Sequence, residues 1–216
     1  MRASSTLKSP ASIPGASGGR LPVMETFASI QGEGAFTGHA AWFIRLGGCD
    51  VGCSWCDVKE SWDTNVHPVR EVDELVSEAL GQPARIAIVT GGEPLMHDLG
   101  PLTDALIAAG FRTHIETSGT HPLSGTWHWI CLSPKKFKEP VPGTHERADE
   151  LKVIVYHRSD LDWAEGHAAR VRPTCRLFLQ PEWSKRAAMS PLIVARITGD
   201  PRWQISMQTH KYLDIP

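Results

Sequence analysis

The 216-residue chain has no apolar run approaching the roughly 18–20 residues needed to cross a bilayer, so a membrane-embedded protein is not expected. Net charge is also nearly absent. With 22 Lys and Arg against 24 Asp and Glu, the formal charge is -2, giving no overall pull toward nucleic acid or an anionic surface. No solenoid-period repeat is visible and no linker divides the chain, which leaves one catalytic-size domain over residues 21–216. The first 20 residues contain no acid and no apolar core of a secretory signal. They read as a flexible N-terminal tail, residues 1–20, with an acid-poor transit peptide as the alternative. Disulfide architecture is disfavoured as well. Five cysteines is an odd number, and three of them fall within eight residues, a pattern suited to a reducing, cytoplasmic setting.

What the sequence does contain is an alternation of strand and helix patterns. Residues 23–30 and 41–46 read as strands around a turn-rich stretch, 31–39, giving a hairpin or crossed pair. Val72, Leu75, Val76, Ala79 and Leu80 repeat at helical spacing before Gly81. The run Arg85 to Thr90 resembles a strand buried on both faces, and a helix through Leu102, Ala105, Leu106 and Ala109 follows it, with Gly110 just past its end. Further strands are predicted at 112–116, 129–132, 151–156, 176–180 and 203–207, and Ser190-Pro191 marks a helix start. The count of about seven strands with few helices predicts an α/β fold, a partial and open (β/α) barrel rather than the closed eightfold one. In such folds the active-site groups gather at the carboxyl ends of the strands.

The segment Gly47-Gly48-Cys49-Asp50-Val51-Gly52-Cys53-Ser54-Trp55-Cys56 places three thiols on a short glycine-containing loop directly after a predicted strand. Thiolate is a soft ligand suited to iron–sulfur clusters or zinc. Without a fourth nearby cysteine, a 4Fe-4S cluster on this loop keeps one iron open for another ligand. A structural zinc completed by His39 or His67 is the competing reading. Cys131 and Cys175, in separate strand regions, read as buried and inert thiols. A second turn, Thr90-Gly91-Gly92-Glu93-Pro94, ends the buried strand, where its glycines allow a ligand to approach the backbone closely.

The C-x3-C-x2-C spacing, with aromatic Trp55 before the third cysteine, resembles the signature of radical S-adenosylmethionine enzymes, and the GGEP turn strengthens the resemblance. It implies that Cys49, Cys53 and Cys56 hold the cluster. It further implies that Trp55, Asp57, Gly91, Gly92 and Glu93 lie at S-adenosylmethionine, whose cleavage yields a 5′-deoxyadenosyl radical that takes a substrate hydrogen. The short chain, Ser29-Ile30-Gln31-Gly32-Glu33-Gly34 and the tail Gln208-Thr209-His210-Lys211 narrow this to a resemblance to the 7-carboxy-7-deazaguanine synthase family over residues 22–216. The family converts 6-carboxy-5,6,7,8-tetrahydropterin to 7-carboxy-7-deazaguanine, with loss of ammonia, on the route to queuosine.

By that resemblance Ile30, Gln31, Gly32, Arg45, Thr90, Glu116, His210 and Pro216 are expected at the pterin, and Ser133, Lys135 and Gln180 at the cofactor. The guanidinium of Arg45 suits a carboxylate and the carboxylate of Glu116 suits aminopyrimidine N–H groups. Pro216 would act through a terminal carboxylate folded back over the substrate. Magnesium is also implied, yet Val58 stands where related members carry a threonine ligand. Asp50 is then the expected carboxylate ligand, with Asp57 the alternative. A flavodoxin- or ferredoxin-type electron donor and a homodimer follow from the same resemblance. The alternatives are an activating enzyme for glycyl radical proteins, which shares the cysteine spacing, and a zinc-stabilised binding module.

Overall fold

A computed structural model describes residues 19–216. The expected tail therefore lies outside the described residues, except that Arg20 already opens the first strand and pairs with Glu71. The first helix and strand units follow the sequence pattern closely. β1 (Arg20–Ile30) and β2 (Ala40–Leu46) form an antiparallel pair around the 31–39 turn, and β3 (Val69–Glu71) adds to the outer edge of β1. β4 (Ile86–Gly91), β5 (Arg112–Thr117), β6 (Trp129–Leu132), β7 (Glu150–Val155), β8 (Arg176–Pro181) and β9 (Trp203–Ile205) then extend β2 in parallel. The result is one nine-stranded open sheet, order β3-β1-β2-β4-β5-β6-β7-β8-β9. This is the expected partial, open barrel. Only β3 has no counterpart among the predicted strands, because its three residues are too few for an alternating pattern to register, and β9 is the expected strand at 203–207 shortened to Trp203–Ile205.

Helices cover the outer face. α1 (Val72–Leu80) and α2 (Gly100–Ala108) bury Val72, Leu75, Val76, Leu102 and Leu106 against Ile44, Val89 and Ile115 of the sheet. A four-residue α3 (Thr144–Arg147) precedes β7, and α4 (Asp160–Ala168) and α5 (Arg186–Gly199) enclose a second core around Leu151, Val153, Leu179, Ile193 and Trp203. α6 (Thr209–Leu213) closes the described chain. The expected helix start at Ser190-Pro191 is not the start observed. Glu182 accepts from the Ser184 and Lys185 N–H groups, the chain turns at once, and α5 begins at Arg186 with Pro191 inside it on an exposed face.

Because strand side chains alternate, the inner face reads in rows. Phe43, Ile88, His114 and Trp129 share one row across β2, β4, β5 and β6, and Phe27 stacks on Phe43 at 4.9 Å. Two residues further toward the carboxyl ends the face turns polar: Arg45 is level with Thr90, and Glu116 with Cys131 and Glu150. No helix among the described residues is long and apolar enough to cross a membrane.

Ile115, with no exposed surface at the centre of the sheet, tests the packing. Ile115→Ala should lower unfolding free energy in urea by about 2–5 kcal/mol without altering the denaturant slope.

Candidate active site

The polar end of the inner face forms a cavity of about 620 Å³, lined by residues toward the carboxyl ends of β1, β2, β4, β5, β7 and β8 and by Ser133 just after β6. On one wall lies the cluster loop. Gly92 N–H donates to the Leu46 carbonyl at 3.1 Å and Glu93 N–H to the Gly48 carbonyl at 2.8 Å, so the β4 turn and the cysteine loop are locked together. Gly91 sits at φ +130° with the Leu46 oxygen 2.1 Å from where a Cβ would stand, which restricts the position to glycine.

Cys49, Cys53 and Cys56 all line this cavity as free thiols. Burial pushes the Cys53 thiol up to about 11 and raises Cys49, so a bound metal would have to displace both protons to take the sulfurs as thiolates. The donor set fits a cluster with one open iron. Among the described residues no three His, Cys, Asp or Glu side chains gather around a single-ion point. The histidines of the zinc reading are engaged elsewhere: His39 Nδ1 meets the Phe36 carbonyl and His67 Nε2 the Glu60 carbonyl. Cys131 and Cys175 are buried, with thiols raised by burial, as expected of inert packing residues.

Trp55 and Asp57 line the cavity beside the cysteines, as do Gly91 and Gly92. Trp55 packs near Phe137 and Tyr156, with the Lys135 ammonium 6.0 Å from its ring centre. Lys135 donates to the Ser133 carbonyl and hydroxyl at 2.7 and 2.6 Å, and burial pushes its ammonium down. Gln180 is buried at the end of β8, accepting from Ser206 Oγ at 2.6 Å.

Two sequence expectations are corrected by the geometry. Glu93 does not line the cavity. Its buried carboxylate is saturated by Leu95 N–H, Thr117 Oγ, Ser118 N–H and Ser118 Oγ, so it acts on the cavity through Thr117 and Ser118, which do line it. Asp50 also points away. Its carboxylate receives Lys138 at 2.5 Å and His121 at 3.1 Å, and no surface of it reaches the cavity. Asp57 is the cluster-loop carboxylate on the wall, and Lys211 donates to it at 2.6 Å.

The same cavity is lined by every residue expected at the pterin. Gln31 bridges: its Nε2 donates to Glu116 at 3.1 Å and its Oε1 accepts from Glu33 N–H at 3.1 Å. Ile30 and Gly32 flank it, and Gly32 abuts the His210 ring while accepting from Thr209 N–H at 2.9 Å. Arg45 lies at the cavity edge, its guanidinium on Glu25 at 2.6 Å, and Thr90 sits level with it on the next strand. The tail does fold back, and a Pro216 main-chain oxygen accepts from Ser29 Oγ at 2.8 Å.

The group that sequence reasoning missed is Lys152. Only 3 % exposed, it donates to Glu33 at 2.6 Å and to Glu116 at 2.7 Å. Burial works against its charge, but the carboxylates of Glu116, Glu33 and Glu150 outweigh that and keep it protonated. Burial would raise Glu33 too, yet Lys152, His210 and Gln208 hold its carboxyl down at about 2. A signal was available. In the apolar strand Glu150-Leu151-Lys152-Val153-Ile154-Val155, Lys152 shares a face with Glu150, an inward charge that needs a partner. Burial lowers His210, which favours its neutral ring.

Residues 43–132 match the Radical SAM superfamily. The chain is 54% identical over 92% of its length to the 7-carboxy-7-deazaguanine synthase of Flavobacterium psychrophilum, covering 94% of that protein. It is 50% identical over 90% of its length to that of Synechocystis, covering 93%. The chain belongs to the 7-carboxy-7-deazaguanine synthase family. Within that family, the crystal structure of QueE from Escherichia coli superposes with a TM-score of 0.79 at 35% identity, covering 88% of this chain and 95% of that one. The synthase fold therefore extends across both walls of the cavity, beyond the segment that carries the cysteines.

Glu33 gives a pH test. Its folded pKa lies below the ordinary value of 4.5, so its stabilising contribution is complete above about 4.5 and is lost as pH falls toward about 2. Urea unfolding across that window should show stability falling with acid, and Glu33→Gln should flatten this part of the profile.

Proposed function

We propose that this synthase converts 6-carboxy-5,6,7,8-tetrahydropterin to 7-carboxy-7-deazaguanine by radical ring contraction with loss of ammonia. The observation that carries the reading is a single cavity lined both by the three cluster cysteines and by Gln31, Glu33, Glu116, Lys152 and His210. Cys49, Cys53 and Cys56 would hold a 4Fe-4S cluster, which with S-adenosylmethionine supplies the hydrogen-abstracting radical. Ser133, Lys135 and Gln180 bind the cofactor side, together with Trp55 and the Gly91-Gly92 backbone.

Across the cavity Glu116 and Glu33 accept from the aminopyrimidine edge, both aimed by Lys152. Arg45 takes the carboxylate with its planar fork, and a neutral His210 closes over the ring beside Pro216. A cavity of about 620 Å³, bordered by Gln208, His210, Lys211 and Pro216, suits a small heterocycle better than the glycyl strand of a partner protein.

The residues present do not make a magnesium site. Val58 lines the cavity without a side-chain oxygen, and its carbonyl accepts from Ser61; Asp50 is turned onto Lys138, and Asp57 is already paired with Lys211. In this reading magnesium accompanies the substrate through the substrate's own oxygens and water. The enzyme works in the cytoplasm as a homodimer, taking electrons from a flavodoxin- or ferredoxin-type donor.

Anaerobically reconstituted protein given S-adenosylmethionine, dithionite, magnesium and the carboxytetrahydropterin should form the deazapurine, detected by mass. No product from protein with an intact cluster contradicts the proposal. Cys53→Ala should lose both the cluster absorption and turnover.

A further inference from the structure

We propose that Glu150 and Ser206 are positioning residues that clamp the 31–36 loop over the substrate, an inference that rests on the function proposed above. Neither residue lines the cavity. Both are buried, at 2 % exposure each, and between them they accept from two consecutive N–H groups of the loop, Ser206 from Gly34 and Glu150 from Ala35.

Glu150 opens β7, level with Cys131 and Glu116 on the inner face. One carboxylate oxygen accepts from Ala35 N–H at 3.0 Å and from Trp129 Nε1–H at 3.1 Å, while the other accepts from the Cys131 thiol at 3.5 Å. Gly34 packs directly on this carboxylate. Its φ is +62°, and a Cβ there would stand 1.9 Å from the nearer oxygen, so the loop and Glu150 are fitted as one unit. The preceding N–H, that of Gly34, donates to Ser206 Oγ at 2.9 Å, and this hydroxyl donates onward to Gln180 at 2.6 Å. Phe36 completes the clamp, its ring 4.5 Å from His114 and 5.0 Å from Trp129.

The loop leaves β1 at Ile30 and carries Gln31 and Glu33 into the cavity before the chain returns at β2. A short 3-10 turn, Gly34–Phe36, has few internal bonds with which to fix itself. Bonds within 31–39 close the turn, and β7 and the segment after β9 fix it from outside. Two buried acceptors thus add to the direct bonds of Gln31 with Glu116 and of Glu33 with Lys152 in setting where Gln31 and Glu33 stand. A glutamine at this position keeps an oxygen of the same reach for the Ala35 and Trp129 N–H groups, so an amide of the same shape can take the place of the carboxylate.

The test compares Glu150→Ala, Glu150→Gln and Ser206→Ala in the reconstituted enzyme by steady-state kinetics and by hydrogen–deuterium exchange of peptides covering residues 31–39. Glu150→Ala should raise KM for the carboxytetrahydropterin by about tenfold with kcat changed less, leave KM for S-adenosylmethionine near wild type, and speed exchange in 31–39 but not in α5. Glu150→Gln should restore both readouts, and Ser206→Ala should speed exchange of the same peptides. Wild-type KM and exchange in Glu150→Ala overturn the proposal, as does a uniform rise in exchange across the chain. If Glu150→Ala does not fold, unchanged exchange of 31–39 in Ser206→Ala overturns it, and selective acceleration there supports it. Exchange needs no turnover, so a clamp that behaves as described in a protein forming no deazapurine would sink the functional reading alone.

Discussion

A buried ammonium must be matched by negative charge brought to it, and in this fold the ammonium is Lys152. Its two carboxylates come from distant parts of the chain: Glu116 from β5, and Glu33 from the loop beyond β1. Satisfying Lys152 therefore draws that loop inward over the carboxyl ends of the strands. The open side of the sheet is spanned as a consequence. The same loop meets the segment after β9 through Gly32 with Thr209 and Glu33 with Gln208, so the two ends of a nine-stranded sheet are joined by polar contacts rather than by strand pairing.

The cofactor wall obeys a related rule with different groups. Glu93 is buried and fully hydrogen-bonded, joining the β4 turn to Thr117 and Ser118 at the end of β5. The cluster loop is then held by backbone bonds to that turn. Asp57 links the walls, since its carboxylate, one residue past Cys56, accepts from Lys211 of α6. Charge placed at each junction, rather than apolar area, decides how the cysteine loop, the 31–36 loop and α6 face one another.

Much of this was legible in the sequence where a local pattern carried it. The strand and helix order, the three-cysteine loop and the GGEP turn each occupy a short stretch whose residue types state their role, and all three cysteines and the Gly91-Gly92 turn do reach the cavity. β3 and α6 were too short for periodicity to reveal. Asp50 and Glu93 look like ligands in a linear reading. Their actual partners, Lys138 and His121 for one and Thr117 and Ser118 for the other, lie far along the chain, and only the folded sheet brings them close. Lys152 was missed for the same reason, since its meaning depends on two carboxylates 119 and 36 residues away.

The central claim is that Lys152 and Glu33 stabilise the fold through each other. A double-mutant cycle with Glu33→Gln, Lys152→Met and the double variant, read by urea unfolding at neutral pH, measures that coupling directly. A coupling of about 2 kcal/mol or more, with Lys152→Met the costlier single change, is the result the account requires. Additivity within about 0.5 kcal/mol would contradict it.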